Sequence, residues 1–181
     1  MRKIYLVFLL FFSLSLSVKA QDVLPIDEAT EKVMFIEVVD ATGITGKELY
    51  KVMKDWALSK GLKIKEENAA EGEMQFGGVL EVPYERVKGK SEPGNVSYNF
   101  YLFAKDNKYR YVITDFVHAG TNATVSGGKL ENQTPECGPT INQANWLVIK
   151  KKTRAGMDEL VEELRKKVKA AQNDPTKKKD W

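Results

Sequence analysis

The chain has 181 residues, of which 43% are hydrophobic, 29% charged and 10% aromatic, with one Cys and one His. That composition excludes collagen-like, low-complexity and disordered classes. The net charge of +3 resides in Arg2, Lys3 and Lys19; the rest of the chain is balanced, without the basic excess that nucleic-acid binding needs.

The first 20 residues read as an export signal. Arg2 and Lys3 precede an apolar run from Ile4 to Leu16 that only serines interrupt, and Val18-Lys19-Ala20 is a small-x-small cleavage site. The run is too short to span a bilayer comfortably, and no Cys follows it to carry a lipid. The expectation is an exported protein, periplasmic or secreted, with no transmembrane anchor after signal removal. Residues 21–31 then form a polar leader, and 32–172 a single domain.

Val33 to Val39 is β-branched and aromatic enough for a strand. Thr45-Gly46-Lys47-Glu48 has the form of a capping box, and Leu49, Val52, Met53, Trp56 and Ala57 behind it keep helical spacing up to Gly61. Leu62–Glu66 is a weak strand. Glu73–Pro83 is a clearer one, with Met74, Phe76, Gly78, Leu80 and Val82 on one face. Lys88–Asn95, holding Gly89, Pro93 and Gly94, reads as a loop.

Val96–Lys105 and Lys108–His118 flank Asp106-Asn107, a two-residue connection suited to positive φ, and so form a long hairpin. Its register sets Tyr101 opposite Val112 and Phe103 opposite Arg110. Ala119–Pro139 is a long loop with a short strand expected around Lys129–Glu131. Thr140-Ile141-Asn142-Gln143 is a second capping-box pattern. The helix behind it carries Trp146, Ile149, Thr153, Met157, Leu160, Leu164 and Val168, with Gly156 marking a kink or a start. Residues 173–181, with Lys177-Lys178-Lys179, read as a basic disordered tail.

The order β-α-β-β-β-β-α is that of an α+β domain, an antiparallel sheet of about five strands with two helices on one face. The quoted residues resemble a family of exported bacterial proteins. They are Leu24-Pro25-Ile26-Asp27, Glu48-Leu49-Tyr50 with Trp56, Tyr109-Arg110-Tyr111, Thr114 to His118, and Trp146. The family is domain of unknown function 4468, whose fold is described as resembling the TATA-binding protein. The resemblance implies a TBP-like sheet and a cell-envelope setting, and it implies no activity, because fold does not transmit function.

Candidate chemistry is sparse. Asp115 and His118 lie three apart on a strand and point to opposite faces unless a bulge re-aims one. Cys137, in Pro135-Glu136-Cys137-Gly138-Pro139, reads as a turn thiol. One His and one Cys, with no carboxylates at ligand spacing, make no zinc site, and no phosphate loop is present. No cofactor and no catalytic role are expected.

The hairpin is more informative, because a sheet with one wet face should alternate apolar and polar residues and this one does not. Tyr101, Phe103, Val112 and Phe116, with His118 at the margin, are therefore expected to form a contact surface. Its partner would be an unknown protein, glycan or lipid of the envelope, or a second copy of the chain. The reading is a binding or scaffolding domain that uses its sheet face and the 119–139 loop. The alternatives are a small-ligand or lipid carrier with a cavity between sheet and helices, and an envelope hydrolase.

Overall fold

The computed structural model describes residues 24–87 and 89–174. The expected signal and most of the expected tail lie outside them. The strands are β1 (Phe35–Asp40), β2 (Lys63–Asn68), β3 (Glu73–Glu81), β4 (Tyr84–Val87), β5 (Lys90–Glu92), β6 (Asn95–Lys105), β7 (Lys108–Ala119) and β8 (Gly128–Lys129). The helices are α1 (Gly46–Ser59) and α2 (Gln143–Gln172). The main sheet is six-stranded and antiparallel in the order β1-β7-β6-β3-β2, with β8 pairing β7 beyond the end of β1. This is an α+β fold, with one strand more in the sheet than expected.

Local chemistry explains most elements. Thr45 caps α1 reciprocally: the Glu48 amide donates to its hydroxyl, and the Thr45 amide donates to the Glu48 carboxylate at 3.0 Å. Asp106 and Asn107 form the β6–β7 turn, with Asn107 at φ +65°. Their side chains also accept from the Gly46 and Gly43 amides at 2.7 and 2.8 Å, so the turn fixes the start of α1 as well. Both helices then lie on one face of the sheet. Leu49, Met53, Trp56 and Ala57 bury the inner side of α1, and the Trp56 ring meets Phe100 edge-on with centroids 5.9 Å apart.

Several expectations are corrected. Lys88–Asn95 is not all loop: it contains β5, which pairs with β4 just ahead of it in a separate two-stranded sheet. Thr140 lies in a 3-10 turn, and the N-cap of α2 is Asn142, whose side chain accepts from the Asn145 amide at 2.9 Å. Gly156 does not start the helix, which runs unbroken from Gln143 to Gln172. A Cβ there would stand 2.7 Å from Leu80 Cδ2, so glycine lets α2 come down close onto β3. Val161 takes the buried place expected of Leu160, which is half-buried. The leader is joined to the fold, with Ile26 bridging Val33 and both Leu24 and Val33 in the core.

The largest correction falls within β7. Asn99 pairs with Thr114 but Ser97 with Val117, so Tyr98 alone opposes Asp115 and Phe116. This is a β-bulge, and Asp115 occupies its left-handed position at φ +58°. Up to Thr114 the expected register holds, including Tyr101 opposite Val112 and Phe103 opposite Arg110. Beyond the bulge every side chain changes face, so Phe116 and His118 turn into the core under the helices.

Candidate functional site

The face of the sheet away from the helices carries the unusual chemistry. Tyr101 and Phe103 of β6 and Val112 of β7 lie side by side there, each half-buried. β1 pairs with β7 and adds Ile36 and Val38, which are 56% and 59% exposed. The Arg110 guanidinium sits 4.2 Å from the centre of the Phe103 ring, a cation–π contact across the two strands.

A polar row borders this apolar patch. The Lys32 ammonium donates to Asp115 Oδ1 at 2.7 Å, Asn99 Nδ2 donates to Asp115 Oδ2 at 2.9 Å, and Lys65 Nζ donates to Asn99 Oδ1 at 2.6 Å. The row runs from Lys32, just ahead of β1, across β7 and β6 to β2. The Lys32 hydrogen bond, and then that of Asn99, hold the Asp115 carboxyl below its ordinary value against the cost of partial burial. A cavity of about 380 Å³ lies beside Tyr101 and Phe103, bounded by Glu66, Glu67 and Glu73. A second, of about 590 Å³, lies at the other end of the row, against Gly77, Gly78 and Asp115.

Of the residues expected to form a contact surface, Tyr101, Phe103 and Val112 come together on this face. Phe116 and His118 do not. The Phe116 ring is buried between Phe35 and Tyr98, with centroids 5.7 and 5.9 Å away. His118 lies between Tyr84 and Trp146, and its Nδ1 accepts from the Gly127 amide at 3.0 Å. Sequence reasoning missed Ile36, Val38 and the Lys32–Asp115 pair. The apolar signal of Ile36 and Val38 was visible, but no local cue pairs β1 with β7.

The same placements bear on the alternatives. The bulge sends His118 under the helices while Asp115 stays with Asn99 and Lys32, so the two do not form an acid–base pair. Cys137 is half-buried at the start of a 3-10 turn, and the imidazole nitrogen that accepts is committed to Gly127. Among the described residues no group of three His, Cys, Asp or Glu side chains is placed to hold a metal ion. Trp146, Phe76, Phe100, Leu49 and Met53 fill the layer between sheet and helices, where a carrier would need an open cavity.

Burial lowers the pKa of His118, and the Gly127 amide aimed at Nδ1 offers nothing to an imidazolium. The folded protein therefore binds this proton less readily than the unfolded chain. Stability is complete above the ordinary value of 6.5 and falls as pH drops below it. The urea midpoint is expected to decline between about pH 6.5 and 5, before carboxylates titrate, and to stay flat there in His118→Gln. Equal slopes for the two proteins would show that the imidazole is not what the acid acts on.

Comparison with known proteins agrees with this architecture. The family model described as "Domain of unknown function (DUF4468) with TBP-like fold" matches residues 35–119. A crystal structure of a DUF4468 family protein from Bacteroides ovatus superposes with a TM-score of 0.65 at 14% identity, covering 86% of this chain and 95% of that one. A TBP-like protein from Parabacteroides distasonis gives a TM-score of 0.62 at 15% identity, covering 82% and 98%. At such identities the likeness is one of fold. No curated protein is similar enough in sequence to count as a relative.

Proposed function

Because residues 35–119 match the DUF4468 family model, whose description assigns no activity, we propose a role from the chain's own geometry. The protein is an exported binding or scaffolding domain of the cell envelope, without catalytic function, and its open sheet face is the contact surface. The observation that carries this reading is the asymmetry of the sheet. Both helices cover one face, while Ile36, Val38, Tyr101, Phe103 and Val112 crowd the other beside a charged row.

Cross-strand pairs on a wet face contribute only about 0.2–1 kcal/mol each, which is little return for so much apolar area in water. Burying the exposed half of an Ile or Val against a partner contributes roughly 1 kcal/mol more per residue. Half-buried aromatic side chains next to fixed carboxylate, amide and ammonium groups suit a partner that is itself half polar, such as a peptide or a glycan.

The test compares the wild type with Ile36→Asp/Val38→Asp, whose side chains are exposed enough to leave the fold intact. Each is immobilised and offered glycan strands, anionic lipid vesicles and soluble copies of the chain. The wild type is expected to retain one of these, and the variant to lose it at an unchanged thermal midpoint. Retention of none by the wild type, or equal retention by both, contradicts the proposal.

A further inference from the structure

A second surface lies on the edge of the sheet, beyond the polar row that borders the open face. β6 pairs with β3 along its whole length, but β2 pairs only as far as Gly77, opposite Lys63. Before Lys63 the chain turns away into the end of α1, where the Leu62 amide donates to Ala57 O at 3.1 Å. Residues 78–81 thus have a strand on one side and an empty lane on the other.

The direction of their backbone groups follows from the ladder. The Val82 amide donates to Gly94 O at 2.7 Å, and the Ala104 amide donates to Gly72 O at 2.8 Å, so both ends of β3 bond β6 through even-numbered positions. Hydrogen bonding alternates along an antiparallel strand. The odd positions Val79 and Glu81 therefore turn their N–H and C=O groups into the empty lane. Both residues are exposed, Val79 by 65%, and no described residue bonds these groups. The 590 Å³ cavity opens beside this lane as a dent lined by Lys63, Lys65, Gly77, Gly78 and Val79, with the Lys65 stem lying over Gly77 and the Tyr98 ring over Gly78.

The charges are also placed for an occupant. A strand laid antiparallel to β3 runs in the same direction as β2, so its C-terminus arrives at Lys63. Among the described residues no acid forms an ion pair with the Lys63 ammonium, and Lys65 Nζ donates to the neutral Asn99 amide oxygen. Asp115, the acid nearest the dent, is already engaged by Lys32 and Asn99. At the other end of the lane stands Glu81, and Pro83, which has no N–H to offer, closes it.

We propose that this edge captures the free C-terminus of an extended peptide by adding it to the sheet as a short strand. Four residues of β3 leave room for about four peptide residues, at roughly 3.3 Å each. The penultimate residue pairs with Val79 and is apolar. The residue two before it pairs with Glu81 and is basic. The terminal carboxylate lies in the dent between Lys63 and Lys65. Main-chain bonds supply affinity here, and the carboxylate and the two side chains supply selectivity.

The probe is a fluorescein-labelled octapeptide ending Lys-Thr-Val-Ser, followed by anisotropy with the full protein. The free acid is expected to bind, and its C-terminal amide to bind more weakly by about tenfold or more, the effect of losing a charged hydrogen bond. Lys63→Ala is expected to cost a similar factor, while Tyr101→Ser/Phe103→Ser leaves the affinity unchanged. Equal binding of acid and amide to the wild-type protein, or no binding at millimolar peptide, overturns the proposal. A loss with Tyr101→Ser/Phe103→Ser and none with Lys63→Ala would place the peptide on the open face and overturn it too.

Discussion

Trp146→Ala is expected to destabilise the protein by about 3–5 kcal/mol, the range for deleting a fully buried aromatic side chain. The indole has no exposed surface and sits in the first turn of α2, where it meets His118 edge-on at 6.0 Å. Its Nε1 donates to Asn132 O at 3.0 Å, and Lys150 Nζ, which also bonds that carbonyl, lies 5.4 Å from the ring centre. Removing the ring opens a cavity and takes one donor from a part-buried carbonyl. It also frees the 119–139 segment from the helix, because Asn132 and Gly127 are tied to the same cluster. Urea denaturation measures the loss. A cost below about 1 kcal/mol would mean that the ring is not in the core.

Phe116→Ala is expected to cost a similar amount, about 3–5 kcal/mol, whereas Tyr101→Ser is expected to cost less than about half of that. On a regular strand the two residues would share the open face. The bulge at Asp115 separates them, leaving Tyr101 half-buried and Phe116 packed between Phe35 and Tyr98 with no exposed surface. The comparison thus reports on the bulge itself. If Phe116→Ala proved as mild as Tyr101→Ser, the register would continue unbroken to Ala119, and Phe116 would lie on the open face.

That bulge also marks where the sequence stops being informative. The hairpin register follows from Asp106-Asn107, because a two-residue turn fixes which residues oppose each other, and it carries correctly up to Thr114. One residue later the chain adopts a left-handed conformation at an Asp, which tolerates it without requiring it, so no local cue separates a bulge from a regular strand. The error then passes to Phe116 and His118, since a slip of one residue reverses every side chain behind it. Helix α1 was legible because its cap and its apolar stripe are both local. The start of α2 was less so: Thr140 and Asn142 both offer capping side chains, and the 3-10 turn ahead of the helix decides between them. On the open face, Tyr101, Phe103 and Val112 followed from the hairpin alone. Ile36 and Val38 join them through the long-range pairing of β1 with β7, and Lys32 reaches Asp115 across 83 residues of sequence.

The claim that the open face of the sheet is the contact surface is tested most directly by Tyr101→Ser/Phe103→Ser. The measurement is sedimentation equilibrium over a wide concentration range, alone and with whichever envelope component the wild type retains. The double variant is expected to keep the circular dichroism and cooperative unfolding of the wild type while its association is abolished. A variant that no longer folds would make these residues core, and a folded variant with undiminished association would show that the open face is not the contact surface.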